Sequence, residues 1–116
     1  MKVNFERHNG STIVKVFEDI DFYNSDELEE KLNEILPDVE GIVLSLKDVR
    51  YIDSSGLGIL TGFLRNCRES GKAFVLAELN NDVKNIFELT RLIDFFQIGD
   101  NLEDAMSLMK KNEIKA

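Results

Sequence analysis

Few residues in this sequence can form covalent crosslinks or bind soft metal ions. The 116-residue chain has one cysteine, Cys67, and one histidine, His8. A single cysteine cannot form an internal disulfide, and one cysteine with one histidine supplies too few ligands for a structural zinc site. The N-terminus lacks an apolar signal segment, and no apolar run approaches the roughly 18 residues of a membrane span. These absences predict a soluble, cytoplasmic protein.

Positive charge is also scarce. The chain has 14 Lys and Arg residues against 22 Asp and Glu residues, for a net charge of -8. Nucleic-acid backbones and anionic lipid headgroups repel such a surface, so we expect no nucleic-acid partner and no direct membrane binding. The length and the 43% share of apolar residues fit one domain over residues 1–116 that folds without a disulfide or a metal.

Strand and helix patterns alternate along the chain. Asn9-Gly10 joins two alternating runs, which predicts a β-hairpin of residues 2–8 and 11–18. We expect Asn24 to cap the first helix, with Glu27 completing a capping box. The later elements are predicted in this order: helix to Pro37, strand 41–46, helix from residue 54 to Gly71, strand 73–79, helix 83–90, strand 95–98, helix 102–109 and a frayed tail at 110–116. This order predicts an α/β single-domain sandwich with a mostly parallel mixed sheet, an N-terminal β-hairpin and about four helices.

The segment that follows the apolar strand 41–46 is the most distinctive in the chain. It includes Tyr51-Ile52-Asp53-Ser54-Ser55-Gly56-Leu57-Gly58 and would begin a helix with a carboxylate and two hydroxyls. Helix N-termini favour anions, because unpaired N–H groups and the helix dipole point there. A phosphate on one of these hydroxyls would be held by the helix and remain exposed to an enzyme. Alternatively, Asp-Ser-Ser is an ordinary helix cap, and Gly56, Gly58 and Gly62 only allow the helix to lie close to the sheet.

Catalytic arrangements find little support in the sequence. Ser54 lacks the preceding glycine of a G-x-S-x-G nucleophile elbow. His8 flanks the hairpin turn, at the opposite end of the strand from Asp21. Cys67 lies in the apolar stripe of its helix, which is typical of a small buried hydrophobe. We therefore predict that the chain is not an enzyme.

A receiver domain phosphorylated on Asp53 is an alternative. Asp53 would follow a central parallel strand, and Asp19 and Asp21 could imitate the Mg²⁺ ligands of such a domain. A receiver also needs a lysine after its last strand to balance the phosphoryl charge. The corresponding segment is Gly99-Asp100-Asn101, so this alternative lacks one of its essential residues.

The segment Ile52-Asp53-Ser54-Ser55-Gly56-Leu57-Gly58 closely resembles the signature loop of STAS domains, especially those of bacterial anti-sigma factor antagonists. Asp19-Ile20-Asp21 followed by Tyr23-Asn24-Ser25 resembles the first strand-to-helix loop of that family. Residues 42–49 and 83–96 resemble its central strand and its third helix. The resemblance extends along nearly the whole chain and implies a STAS-like fold.

The resemblance also implies a binding protein that is controlled by phosphorylation. In the family, the unphosphorylated antagonist binds an anti-sigma factor that is a GHKL-type serine kinase, and this binding frees a sigma factor. The kinase uses ATP to phosphorylate the serine after the aspartate, and a phosphoserine phosphatase resets the protein. By motif position the acceptor is Ser54, and the protein needs no cofactor of its own. The residues implied at the partner surface are Asp21, Asn24, Asp53, Ser55, Gly56 and Leu57.

Two positions depart from the family pattern. Glu18 stands where the family commonly has a glycine, and Arg91 in Thr90-Arg91-Leu92 stands where it commonly has Thr-Gly-Leu. Both departures bear more on the choice of partner than on the fold. STAS domains also serve as scaffolds in signalling assemblies or as subunits of transport systems, and these functions remain alternatives.

Overall fold

The computed structural model describes the backbone of residues 1–115 and the side chains of residues 1–111. Strands and helices alternate after an initial hairpin. In chain order the elements are β1 (Val3–His8), β2 (Ser11–Val16), α1 (Ser25–Ile35), a 3-10 turn (Leu36–Asp38), β3 (Gly41–Ser45), α2 (Ser54–Glu69), β4 (Ala73–Ala77), α3 (Asn81–Leu89), β5 (Gln97–Gly99) and α4 (Leu102–Lys115). Pro37 lies in the 3-10 turn, directly after α1, because its ring cannot continue an α-helix.

The strands form one sheet whose spatial order is the chain order, β1-β2-β3-β4-β5. β1 and β2 are antiparallel, with His8 opposite Ser11 across the turn. Asn9 adopts the left-handed backbone conformation (φ 57°) that a tight hairpin turn requires. The remaining neighbours are parallel. The structure confirms the predicted mixed, mostly parallel sheet with an N-terminal hairpin and four helices.

The helices divide between the two faces of the sheet. Each parallel strand is added on the same side of the previous one, so right-handed crossovers place α1, α2 and α3 on one face. Val14, Leu44 and Leu76 point into the core on that face. α4 follows the last strand and covers the other face, where it packs with Val43 and Val75. The central strands are therefore buried on both sides, as their continuous apolar runs predict.

The last strand differs from its predicted position at residues 95–98. Only Gln97–Gly99 pairs with β4. Phe96 lies in a turn before this strand and is buried, with its ring 5.5 Å from the ring of Phe87. The segment before β5 is thus apolar because it is a turn that packs into the core. A local apolar pattern does not distinguish such a turn from a buried strand.

The C-terminal helix is longer than predicted. The backbone of α4 is helical to Lys115, whereas the sequence predicts a frayed tail at residues 110–116. Lys110 and Lys111 favour the longer helix, because lysine is a good helix former. Ala116 lies outside the described residues.

The strand order excludes the receiver-domain alternative. Receiver domains have the flavodoxin-like order 2-1-3-4-5, in which the direction of strand addition reverses and the ligand binds at the reversal. In the sheet described here the order never reverses. The two strand-to-helix loops at the ends of β2 and β3 instead lie side by side.

Candidate functional site

The candidate site is formed by two loops, which we call the first loop (residues 17–24, between β2 and α1) and the second loop (residues 46–53, between β3 and α2). Ile20 and Ile52 form an isolated parallel bridge between them. The N–H of Ile20 donates to the carbonyl of Tyr51 (3.1 Å), and the N–H of Asp53 donates to the carbonyl of Ile20 (3.2 Å). Since both isoleucine side chains are buried, this bridge fixes the loops to the core.

Asp53 joins the second loop to both of its neighbours. Its Oδ1 accepts the N–H of Gly56 (3.0 Å), which caps α2, and its Oδ2 accepts the N–H of Phe22 (2.9 Å) in the first loop. The Asp53 backbone is extended, as a capping residue requires. The predicted helix cap is confirmed, and both carboxylate oxygens have internal structural partners.

Asp19 makes the reciprocal connection. Its Oδ1 accepts the N–H groups of Arg50 (2.9 Å) and Tyr51 (3.1 Å) in the second loop. Each loop therefore supplies a carboxylate that binds backbone N–H groups of the other. Hydrogen bonds to an ionised acceptor are stronger than neutral ones, so the two loops form one preorganised surface.

Asn24 has a different role from the predicted one. Its backbone (φ -121°, ψ -5°) is not extended, and its side chain makes no hydrogen bond to the start of α1, so the predicted capping box with Glu27 is wrong. The Asn24 side chain instead turns back into the first loop. Its Oδ1 accepts the N–H of Asp21 (2.9 Å), and its Nδ2 donates to the carbonyl of Asp19 (2.7 Å) and to Glu18 (3.0 Å). The Asn24 side chain thus stabilises the first loop through three hydrogen bonds within it.

Glu18, one of the two departures from the family pattern, connects this loop to the N-terminal strand. Its carboxylate accepts the backbone N–H of Lys2 (2.6 Å) and the side-chain amide of Asn24. The Lys2 N–H, followed by the Asn24 amide, lowers the pKa of Glu18 below its ordinary value. A glycine here could not make either contact.

The predicted acceptor and its neighbours divide into exposed and buried residues. Ser54 is the first residue of α2 and is exposed, and Ser55 is half-buried. Gly56 and Leu57 are buried. A Cβ at Gly56 would lie 2.6 Å from Cγ2 of Ile52, so the absence of a side chain there lets α2 approach the loops. Gly56 and Leu57 therefore position the helix and offer little surface to a partner.

The two other glycines of this helix do not fit the close-packing interpretation. A Cβ at Gly58 or at Gly62 would meet nothing within 4 Å. The prediction that all three glycines allow close packing of α2 is therefore wrong for Gly58 and Gly62, whereas Gly56 allows close packing against the two loops rather than against the sheet.

Sequence reasoning missed the three most exposed aromatic residues of the two loops. Tyr23, Phe22 and Tyr51 are 92%, 71% and 54% exposed. The rings of Phe22 and Tyr23 meet edge to face, with their centroids 5.6 Å apart. The sequence signal that could have identified Tyr51 is its position next to the apolar Ile52. Neighbouring side chains of an extended segment point to opposite sides, so the burial of Ile52 exposes Tyr51.

Among the described side chains, no group of three or more His, Cys, Asp or Glu residues is placed to hold a metal ion. No helix in the described part of the chain has the length and apolar character needed to cross a membrane.

Comparisons with known proteins agree with one another. The family model of the STAS domain matches residues 2–105. The chain is 28% identical over 109 residues to the anti-sigma F factor antagonist of Paenibacillus polymyxa, covering 92% of this chain and 93% of that protein. It is 32% identical over 91 residues to the anti-sigma-B factor antagonist of Staphylococcus aureus, covering 78% and 84%. The fold is similar to that of an anti-sigma factor antagonist from Mycobacterium paratuberculosis, with a TM-score of 0.84 and 24% identity over 94% of this chain and 93% of that one.

Proposed function

The chain belongs to the STAS domain family, among the anti-sigma factor antagonists, and from this premise we propose that its unphosphorylated form binds a cognate GHKL-type anti-sigma serine kinase and so releases a sigma factor. It is a regulatory binding protein rather than an enzyme. Phosphorylation of Ser54 switches the binding off. A phosphoserine phosphatase restores the binding form, and the cycle runs in the cytoplasm.

The observation that supports this proposal is that Asp53 and Ser54 have separate roles at the start of α2. Asp53 caps α2, so the hydroxyl of Ser54 is not needed for the cap and lies exposed in the first helical turn. In the transfer step, Oγ of Ser54 attacks the γ-phosphorus of the ATP held by the kinase. The new O–P bond forms as the bond to ADP breaks, and the hydroxyl proton passes to a base of the kinase. The antagonist itself needs no cofactor.

The charge around Ser54 explains why a phosphate would end binding. Phosphorylation adds about -1.5 to -2 charges, next to Asp53 and on a chain whose net charge is already -8. In the unbound protein, the N-terminus of α2 and water stabilise the phosphate. An interface that closes over a neutral hydroxyl must instead desolvate this charge. A loss of about 3 kcal/mol would weaken binding about a hundredfold.

The proposal is tested with the purified anti-sigma serine kinases of the source organism. Wild-type protein is expected to bind one of them, to gain one phosphate on incubation with ATP, and to dissociate. Ser54→Ala should bind about as well and resist phosphorylation, whereas Ser54→Asp should bind about a hundredfold more weakly. Ser55→Ala is the matched control for the acceptor, since it removes the adjacent hydroxyl and should still gain one phosphate on Ser54.

Mass spectrometry of the modified peptide and calorimetric binding provide the measurements. Phosphate uptake by Ser54→Ala at the wild-type rate would refute the assignment of the acceptor. A wild type that binds none of these kinases, and is recovered with transport or scaffold proteins instead, would replace the antagonist function by one of the alternatives.

A further inference from the structure

Exposed aromatic residues lie on the two loops that are joined at the start of α2, the helix that Ser54 begins. We use the term aromatic patch for Phe22, Tyr23 and Tyr51, each of which is more than half exposed to solvent. The first two stand on the first loop and the third on the second loop, which the Ile20–Ile52 bridge holds together. Large rings of this kind contribute most of the binding energy where they are buried at protein interfaces. Their position next to the acceptor points to a role in docking.

The backbone of the aromatic patch is held in place by aspartates. The N–H of Phe22 donates to Asp53, and the N–H of Tyr51 donates to Asp19. The N–H of Tyr23 donates to Oδ1 of Asp21 (2.9 Å). All three aromatic residues therefore stand on backbone that is hydrogen-bonded to a carboxylate. A rigid surface loses less conformational entropy when it binds, so these rings are suited to act as anchors.

The same hydrogen bonds define the chemistry of the partner. They place carboxylates against the backbone of the aromatic residues, and Asp26 and Asp48 add exposed carboxylates on α1 and the second loop. Lys47 and Arg50 are the basic residues of the second loop. A partner that fits this combination offers an apolar pocket bordered by arginine, because the guanidinium group both pairs with carboxylates and stacks on aromatic rings.

We infer that the aromatic patch is the anchor that holds the partner kinase, while Ser54 is the switch that ends the contact. The inference rests on the proposed function for the identity of the partner. It assigns affinity to exposed rings that sequence motifs do not mark, and it leaves Gly56 and Leu57 with a positioning role. Phosphate on Ser54 acts at the border of the anchored surface rather than at the anchor itself.

The inference is tested by alanine substitution of each patch residue, with binding to the purified kinase measured by surface plasmon resonance. Phe22→Ala, Tyr23→Ala or Tyr51→Ala should weaken binding about tenfold or more, mainly through faster dissociation. Asp26→Asn should instead slow association and reduce its dependence on salt. In the phosphorylation assay, the patch variants should raise KM with little change in kcat, because Ser54 and its surroundings are intact.

Leu89→Ala is the matched control. Leu89 is 76% exposed at the C-terminal end of α3, away from the two loops. The Leu89→Ala substitution therefore removes an exposed apolar side chain and should leave binding of the kinase unchanged. Unchanged thermal unfolding of the patch variants would show that they fold normally, as expected for exposed side chains. Wild-type binding by all three variants, while Ser54→Asp still releases the kinase, would overturn the inference and leave the proposed function intact. Absence of kinase binding by the wild type would overturn both.

Discussion

The carboxylate of Asp53 joins the start of α2 to the backbone of Phe22, 31 residues earlier in the chain. One oxygen caps the helix that carries Ser54, and the other fixes the loop that carries two rings of the aromatic patch. The position of Ser54, the proposed acceptor, and the shape of the proposed docking surface therefore depend on the same side chain. The aspartate before the proposed acceptor therefore has a structural role of its own.

Substitution of Asp53 separates these two contacts. Asp53→Ala should lower the free energy of unfolding by about 2–3 kcal/mol, because it removes a helix cap and the hydrogen bond to Phe22. Asp53→Asn should lose about 1 kcal/mol, since asparagine also caps helices well. Urea denaturation measures both, with Ser55→Ala as a control expected within about 0.5 kcal/mol of the wild type. Equal losses in the two Asp53 variants would contradict the cap.

The glycines of α2 provide a second matched pair. At Gly56 a Cβ would lie 2.6 Å from Cγ2 of Ile52 and 3.0 Å from the backbone oxygen of Ile20, which cannot easily move. Gly56→Ala should therefore destabilise the protein by about 1–3 kcal/mol. Gly58→Ala meets open space and should stabilise it by about 0.5–1 kcal/mol through helix propensity. The midpoint of urea denaturation should therefore fall for Gly56→Ala and rise for Gly58→Ala. A shift of the same sign in both variants would contradict the close packing of Gly56.

Local sequence patterns were sufficient for most of the fold. The hairpin at Asn9-Gly10, the period of each helix and the Asp53 cap all depend on residues close together in the chain. The last strand was displaced because the ring of Phe96 is buried against Phe87, and this contact depends on how α3 packs. A local apolar pattern reports that a residue is buried but does not report what buries it.

The site was less predictable than the fold, because its contacts are long-range. Asp19 accepts from Tyr51, 32 residues away, and nothing near Asp19 in the sequence indicates that partner. Asparagine is a common helix-capping residue, but the side chain of Asn24 binds within its own loop. Its backbone conformation does not suit a cap, and its amide donates to Glu18 instead. The motif singled out Ser54 as the predicted acceptor, whereas the surface around it required the structure.

Arg91, the second departure from the family pattern, occupies a glycine position at the end of α3. Its φ of 62° is left-handed, and the N–H of Leu92 donates to the carbonyl of Phe87 (2.9 Å), as in a Schellman motif. Arg91→Gly should therefore raise the free energy of unfolding by about 0.5–1 kcal/mol. Lys84→Gly, in the middle of α3, should lower it by a similar amount. Destabilisation by Arg91→Gly in urea denaturation would show that the arginine side chain makes a contact that outweighs the strain.

Cys67 is a free cysteine that is fully buried in α2, where it packs in the hydrophobic core. Burial raises the pKa of this thiol to about 12, against the opposing effect of the charge of Lys72. The thiolate is the reactive form of cysteine, so the folded protein should resist alkylation at neutral pH and react once it is unfolded.

The raised pKa of Cys67 also predicts how stability changes with pH. Above the unfolded-state pKa of 9.0 the unfolded chain loses the thiol proton while the folded chain keeps it until about 12, so the free energy of unfolding falls as pH rises through this range. Cys67→Ala should be less stable than the wild type near pH 7, because it leaves a small cavity. Urea denaturation under reducing conditions should show this difference narrowing by about 1 kcal/mol between pH 9 and pH 10. Lysine and tyrosine titration affects both proteins equally, so a constant difference over that interval would mean that the thiol ionises as readily in the folded chain as in the unfolded one.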